Sequence, residues 1–196
     1  MKLVRPCRWW LALALVTSGA PALTACTPYA VVQQSVDPSA LKGVRDVTVS
    51  YDWTQARWNG ESEGEYVAKK SAEERADHEV LKAETDAAIV QALRDTVGAP
   101  YTFNVNSAPP GVGELRVVIQ HADVQPGIFT YVYNRPARLL TRFIWIRDGK
   151  VTDIIDTDTT IGASLTTASD HQRMQLAGRN LGRAAARYFV DAQHAK

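Results

Sequence analysis

Histidine and acidic residues are the side chains here best able to bind a metal or transfer a proton, and few of them are grouped. His121 and Asp123 would point to one side of a predicted strand, which supplies two ligands where a metal site needs at least three. Asp153, Asp156 and Asp158 form an acidic strand, but the glycine and bidentate glutamate of a calcium loop are missing. We therefore predict no metal site and no cofactor, and interpret the histidine as hydrogen-bonded or superficial and the aspartates as a solvated sheet face.

The sequence carries no motif of a familiar enzyme class. It has no nucleophile elbow, no phosphate-binding loop and no pair of histidines spaced to bind zinc from a helix. Gly111-Val112-Gly113 follows two prolines and opens a predicted strand, which indicates a turn rather than a dinucleotide-binding loop. We predict no catalytic residue and no enzymatic activity, and keep an unrecognised hydrolase as a third alternative.

Three arginines recur every four residues in the last predicted helix. Arg179, Arg183 and Arg187 lie opposite the apolar stripe of that helix. Together they would bind an anionic surface such as lipid phosphate, lipopolysaccharide or an acidic patch on a partner. The alternative is a solvated outer face whose positive charge suits the C-terminal half of a helix.

The segment 128–133 brings three aromatic rings close together. Phe129, Tyr131 and Tyr133 would share one side of an extended strand. An exposed strand of this kind would pair with a partner strand or with a second copy of the chain. The alternative is a core strand of the protein's own sheet.

Asp158 and Arg173 have a spacing similar to that of the peptidoglycan-binding residues of OmpA-type outer-membrane proteins. In that family an Asp at a strand end and an Arg at the start of the next helix hold the ligand, so the resemblance implies the same contacts here. The sequence departs from the family pattern because the expected Asn and Leu-Ser steps are absent and Gly162 comes one residue late.

Cys26 lies in the most specific motif of the chain. A basic start, an apolar run from Trp9 to Val16 and small residues before the cysteine have the order of a secretory signal. The apolar run is too short to span a hydrocarbon core of about 30 Å. Leu23-Thr24-Ala25-Cys26 resembles a bacterial lipobox, which implies cleavage after Ala25 and acylation of Cys26. Two or more acyl chains hold a protein firmly to a membrane.

The residue after the cysteine bears on location. Bacterial lipoproteins with Asp at that position tend to stay at the inner membrane, whereas this chain has Thr27. The resemblance therefore implies the periplasmic face of the outer membrane. Loss of the signal's three basic residues leaves 19 basic against 21 acidic residues, a formal charge of −2, so nucleic acid is not an expected partner.

The mature chain is long enough for one domain with its own core. We predict a signal peptide over residues 1–25, an acylated tether over 26–43 with a coil dimension on the order of 20 Å, and a single periplasmic domain over 44–196. Alternation of apolar and polar residues predicts strands at 46–53, 101–105, 115–119, 140–146 and 151–161. Capping boxes at Ser71/Glu74 and Ser169/Gln172 predict two long helices.

This order predicts an α+β fold, with an antiparallel or mixed sheet of about five strands and two helices on one face. The order over residues 44–193 is similar to that of small domains in envelope lipoproteins, such as the N-terminal domain of the Tol system's periplasmic propeller protein and the curli secretion lipoprotein. The resemblance implies a noncatalytic accessory or assembly factor that docks on an envelope protein. A binding module for peptidoglycan or an anionic lipid or glycan is the alternative, and homo-oligomerisation stays open.

The apolar stripe of the last helix gives a test of the fold. Met174, Ala177, Leu181, Ala185, Tyr188 and Phe189 recur at helical spacing. Replacing Tyr188 or Phe189 with Asp would bury an unpaired charge, so we expect either variant to unfold. Circular dichroism during thermal melting checks this, and a variant that still melts cooperatively would show that the stripe faces solvent.

Overall fold

The computed structural model describes residues 28–35, 39–105, 114–130 and 132–194. The predicted signal, Cys26 and the glycine pair at 111 and 113 lie outside these residues. Within them, no helix is both long enough and apolar enough to cross a membrane.

The chain forms an α+β fold, which confirms the predicted class. The helices are α1 (Glu63–Ala68), α2 (Ala72–Val97) and α3 (Asp170–His194), with a 3₁₀ turn at Leu165–Thr167 before α3. The strands are β1 (Ala30–Gln33), β2 (Asp46–Asp52), β3 (Arg57–Trp58), β4 (Glu61–Ser62), β5 (Thr102–Val105), β6 (Leu115–Gln125), β7 (Ile128–Phe129), β8 (Asn134–Arg135), β9 (Ala137–Arg147) and β10 (Lys150–Ile161).

The predicted strand count of about five is too low. The main sheet has eight strands, and its main path runs β1-β10-β9-β6-β2-β5, with β3 beside β6 and β4 beside β3. All five predicted strands are present, as β2, β5, β6, β9 and β10. The prediction missed β3 and β4 because two residues cannot display an alternating pattern, and it missed β1 because all four of its residues are exposed.

The sheet is mixed. β9 runs antiparallel to β10 and to β6, whereas β2 runs parallel to both β6 and β5. The β9–β10 hairpin turns at Asp148 and Gly149, whose φ values of 51° and 72° are the left-handed values that a tight two-residue turn needs. In the sequence, Asp148-Gly149 between two predicted strands indicates a hairpin, and the structure confirms it.

Both long helices begin at the predicted caps. At α2, the Ser71 hydroxyl accepts a hydrogen bond from Glu74 N and the Glu74 carboxylate accepts one from Ser71 N. At α3, Gln172 N donates to Ser169 Oγ at 3.1 Å, while the return contact from Ser169 N to Gln172 Oε1 is longer at 3.5 Å. α2 ends at Gly98, which has a φ of 68°.

α3 packs against both the sheet and α2, and its predicted apolar stripe is fully buried. Phe189 illustrates the packing, since its ring lies 5.5 Å from the rings of both Phe103 and Trp145, which belong to different strands. Such aromatic contacts add about 0.5–1.5 kcal/mol each beyond the burial of their area. The helices cover one face of the sheet, as predicted.

Gly178 and Gly182 allow α3 to approach α2 closely. A Cβ on Gly178 would lie 2.8 Å from Thr85 O, and one on Gly182 would lie 2.3 Å from Ile89 O. In the sequence, Gly178 and Gly182 border the apolar stripe of the last helix, which predicts close approach to the sheet, but this prediction is wrong because this side of α3 faces α2. Positions four residues apart on α3 meet positions four residues apart on α2 in the same order, so the two helices run parallel.

Part of the predicted tether is folded. Ala30–Gln33 pairs antiparallel with β10 as an edge strand, and Leu41 is fully buried. The Tyr29 hydroxyl donates to Asp191 at 2.9 Å, and its ring packs edge-on against Tyr188 at 5.4 Å. Composition alone indicated a coil here, but the backbone of this segment pairs with the edge of β10 and Leu41 packs into the core.

The contact at Gly182 should be intolerant of a single methyl group. We expect Gly182→Ala to lower the free energy of unfolding by about 1–3 kcal/mol, because the Cβ would force α3 away from the α2 backbone. Urea denaturation measures this. The matched control is Gly64→Ala in α1, where a Cβ meets nothing within 4 Å and Ala should be neutral or slightly stabilising. Equal stabilities for the two variants would contradict the close approach.

Candidate functional site

The three arginines of α3 form an exposed row, here called the arginine ridge. Arg179, Arg183 and Arg187 are all exposed, because burial of the apolar stripe turns this side of the helix outward. None of the three makes an ion pair with another residue in the described part of the chain. The predicted position on the outer face is confirmed, and the three charges are free to meet an external anion.

A groove of about 340 Å³ lies beside the arginine ridge. It is lined by Arg183, Arg187, Asp158 and Pro28, among others. The carboxylate of Asp158 is already paired with Arg138, whose Nη2 lies 2.5 Å from Asp158 Oδ2. The groove therefore keeps a net positive character, and the first described residue of the chain forms part of its wall.

The segment 128–133 is a β-hairpin rather than one strand, which corrects the sequence prediction. β7 turns back onto β8, with Ile128 opposite Arg135 and Phe129 opposite Asn134. The turn forms because the Thr130 hydroxyl donates to Tyr133 O at 2.7 Å and accepts from Tyr133 N at 2.8 Å. Alternating aromatic residues imitate a strand pattern, and the side-chain hydrogen bonds of Thr130 override it.

The hairpin carries exposed apolar side chains. Val132 is 98% exposed, Tyr133 56% and Ile128 42%, while Phe129 is partly buried. Tyr131 lies outside the described residues. The alternative of a core strand does not hold for the described residues of this segment, because none of its apolar side chains is buried.

Arg173 is a structural residue, which corrects its prediction as a peptidoglycan contact. It is 2% exposed, and its guanidinium donates to the carbonyls of Pro126, Thr167 and Ala168 at 3.0, 2.9 and 2.5 Å. Burial lowers its pKa. Asp158 makes a separate pair with Arg138, so the two predicted ligand contacts do not form a joint site.

His121 and Asp123 do not share a side of their strand, because a β-bulge falls between them. His121 is fully buried, with Nε2 2.9 Å from Asp86 Oδ1 and Nδ1 3.1 Å from Thr141 Oγ1. Trp53 stacks on the imidazole at 3.7 Å and donates its indole N–H to Asp86. The predicted hydrogen-bonded histidine is confirmed, and the predicted common orientation with Asp123 is wrong.

Sequence reasoning missed this Asp86–His121–Thr141 network. The sequence of carboxylate, imidazole and hydroxyl resembles a proton relay, yet the Thr141 hydroxyl is fully buried and cannot reach a substrate. Asp86 borders a groove of about 410 Å³. Burial raises the pKa of Tyr51 to about 12, and the negative charge of Asp86 is the second cause of that rise. The sequence could have indicated this network, because Asp86 lies on the otherwise apolar side of α2, where a charged side chain is stable only when it is paired.

Asp153 is buried, which corrects its prediction as part of a solvated acidic face. It accepts hydrogen bonds from Tyr188 Oη at 2.7 Å and from Ser35 N at 3.2 Å. Burial, followed by the hydrogen bond to Asp153, raises the pKa of Tyr188. Asp156 does lie on the outer sheet face, where it forms a bidentate pair with Arg142 at 2.7 and 2.8 Å.

A cluster of possible metal ligands lies near the start of α2. Glu63, His78 and Glu79 place one ligand atom each within 4.8 Å of one another. Lys82 Nζ already lies 2.6 Å from Glu63 Oε1 and 3.4 Å from a carboxylate oxygen of Glu79. The ammonium takes the position that a cation would need, so these residues form an ion-pair cluster.

Comparisons with known proteins give no family for the chain. No protein-family model matches the sequence, and no curated protein matches it significantly. Two solved structures of dodecameric PelC from Paraburkholderia phytofirmans, the second a point variant, align with 78% of this chain and with 97% and 96% of theirs. The identities are 9% and 13% and the TM-scores 0.38 and 0.34, values that carry no conclusion about this chain.

His171 links α3 to α2 through two carboxylates. Its Nδ1 lies 2.7 Å from Glu84 Oε2, and its Nε2 lies 3.1 Å from Asp77 Oδ1. Partial burial lowers the pKa of His171, but the hydrogen bonds to Glu84 and Asp77 outweigh it, so the pKa is raised above its ordinary value. The protonated imidazole is therefore the form that holds the helices together.

This raised pKa gives a pH-dependent contribution to stability. Because the folded state binds the proton more tightly, the contribution is complete below about pH 6.5, the unfolded pKa, and is lost as the pH rises through the raised pKa. We expect His171→Asn to be destabilised by up to about 1 kcal/mol in acid and to match the wild type in alkali. Urea titrations at several pH values check this, with exposed His194→Asn as control. A difference that grows toward alkaline pH would contradict the assignment.

Proposed function

We propose that the protein is a lipid-anchored periplasmic lipoprotein that acts as a noncatalytic accessory or assembly factor of the cell envelope. Its anchor is Cys26 and its location is the periplasmic face of the outer membrane, both inferred from the lipobox and from Thr27. The observation that carries the docking role is the exposed apolar hairpin β7–β8.

The hairpin has the properties of a protein-binding element. Val132 and Tyr133 expose most of their side chains at one tip, and a cluster of exposed apolar residues is a common mark of an interaction site. Tyrosine is also among the residues that contribute most to protein interfaces. The partner that fits is therefore an envelope protein with an apolar pocket.

The base of the hairpin is held rigid before any partner binds. A Cβ on Gly127 would lie 2.6 Å from Arg135 O and 2.7 Å from Ala137 N, so the chain packs tightly there. Thr130 N donates to Asn134 Oδ1 at 3.2 Å and to Tyr133 O at 3.0 Å, which fixes the turn. A preformed element loses little conformational entropy on binding.

The second candidate is a binding module for an anionic lipid or glycan. The unpaired charges of the arginine ridge favour it. The third, an unrecognised hydrolase, has less support, because the Asp86–His121–Thr141 network buries the hydroxyl that would have to react.

Site-specific photocrosslinking in intact cells tests the docking role. A photoreactive phenylalanine analogue at Val132 should give one discrete protein adduct, identified by mass spectrometry after recovery of the acylated protein in detergent. The matched control is the same analogue at Leu165, which is 82% exposed but lies on the 3₁₀ turn.

The outcomes separate the candidates. An adduct at Val132 that is absent at Leu165 supports the docking role, and an adduct of twice the protein's mass identifies a second copy as the partner. Identical adduct patterns from the two positions, or none from Val132, contradict docking through the hairpin.

A further inference from the structure

We propose that the arginine ridge lies against the anionic phospholipid headgroups of the membrane that holds Cys26, with α3 running along the bilayer surface. This inference rests on the proposed lipidation of Cys26. It assigns the ridge a ligand of stated chemistry, the lipid phosphate, and gives the domain one orientation on the membrane.

The first argument is covalent reach. Pro28 lines the same groove as Arg183 and Arg187. Consecutive Cα atoms lie about 3.8 Å apart, so the Cα of Cys26 is at most about 7.6 Å from that of Pro28. An acyl chain on Cys26 would therefore enter the bilayer close to these two arginines.

Because the N-terminal segment is folded, no long flexible tether separates the domain from its proposed anchor. β1 begins at Ala30 and pairs with β10, and Tyr29 contacts Tyr188 and Asp191 near the end of α3. The domain is therefore joined to its anchor by a few residues that emerge beside α3. A short link of this kind presents one surface of the domain to the membrane.

The second argument is the unpaired charge of the arginine ridge. The acids beside it have other partners, since Asp158 pairs with Arg138, Asp95 accepts a hydrogen bond from Gln91 at 2.7 Å, and Asp191, one turn beyond Arg187, accepts one from the Tyr29 hydroxyl at 2.9 Å. Guanidinium groups form paired hydrogen bonds with phosphate oxygens. Three free guanidinium groups beside a lipid anchor match a layer of phosphates.

The spacing of the arginine ridge fits a helix that lies parallel to the bilayer. Residues four apart on an α-helix follow one side and rise by about 6 Å per step, so Arg179 and Arg187 are about 12 Å apart along the axis. All three can meet headgroups at the same depth only if α3 lies flat. Each basic residue at an anionic surface contributes about fivefold to binding, so the three together contribute on the order of 100-fold.

The experiment uses the full chain, expressed in a bacterium, purified in detergent and reconstituted into phosphatidylcholine vesicles with or without phosphatidylglycerol. Asn180→Cys, next to Arg179 on the exposed side of α3, and Asn104→Cys, on the sheet face opposite the helices, introduce single labelling sites. The sequence has two other cysteines, of which Cys7 would leave with the signal and Cys26 would be blocked. A fluorophore on each new thiol reports its distance from a nitroxide quencher on the lipid headgroups.

We expect quenching at position 180 to exceed that at position 104 several-fold, and only with phosphatidylglycerol present. The triple variant R179Q/R183Q/R187Q should abolish the difference. A control that removes the same charge from other exposed positions, R45Q/R57Q/K150Q, should keep it.

The mass of the purified protein separates the two proposals. If it carries the acyl chains but both positions are quenched equally, or the triple variant keeps the difference, the orientation is wrong and the anchored lipoprotein stands. A quenching difference that persists without phosphatidylglycerol excludes recognition of anionic headgroups. A mass without acyl chains overturns the proposed anchor and this orientation together.

Discussion

The close contact of α3 with α2 is the constraint on which the rest of the structure depends. Gly182 brings α3 against the backbone of α2, and the adjoining side of α3 packs on the sheet through Phe189 and its aromatic neighbours. A helix buried on two sides has only a narrow exposed surface left. The arginine ridge occupies that surface, so the packing that forms the core also aligns the three charges.

The helices cover only one face of the sheet, and this explains why polar side chains are paired differently on its two faces. On the helix-covered face, buried Asp153 and His121 each satisfy their hydrogen bonds within the protein, as burial requires. On the open face, Arg142 and Asp156 pair across neighbouring strands where water also reaches them. Both arrangements keep these groups paired, so among the described residues the proposals rest on the hairpin β7–β8 and the arginine ridge.

Long periodic elements could be predicted from the sequence, and short or irregular ones could not. The caps at Ser71 and Ser169 and the five predicted strands were recognisable because each produces a characteristic local pattern. The burial of Arg173 was not, because its carbonyl partners lie in two separate loops and only the fold brings them together. The bulge after His121 and the turn at Thr130 reversed expected side-chain directions, since one extra residue changes the face on which a side chain lies.

The pairing of the first strand with the last one has a kinetic consequence. Tyr29 and Asp191 form a hydrogen bond although 162 positions separate them, and β1 adds to β10 only after β10 exists. Contacts between such distant segments need large loops to close, which makes folding slow, on the order of milliseconds to seconds, compared with a helical bundle. A chain that emerges N-terminus first must therefore wait for its final helix before its core can close, and its two ends become ordered in the same late step.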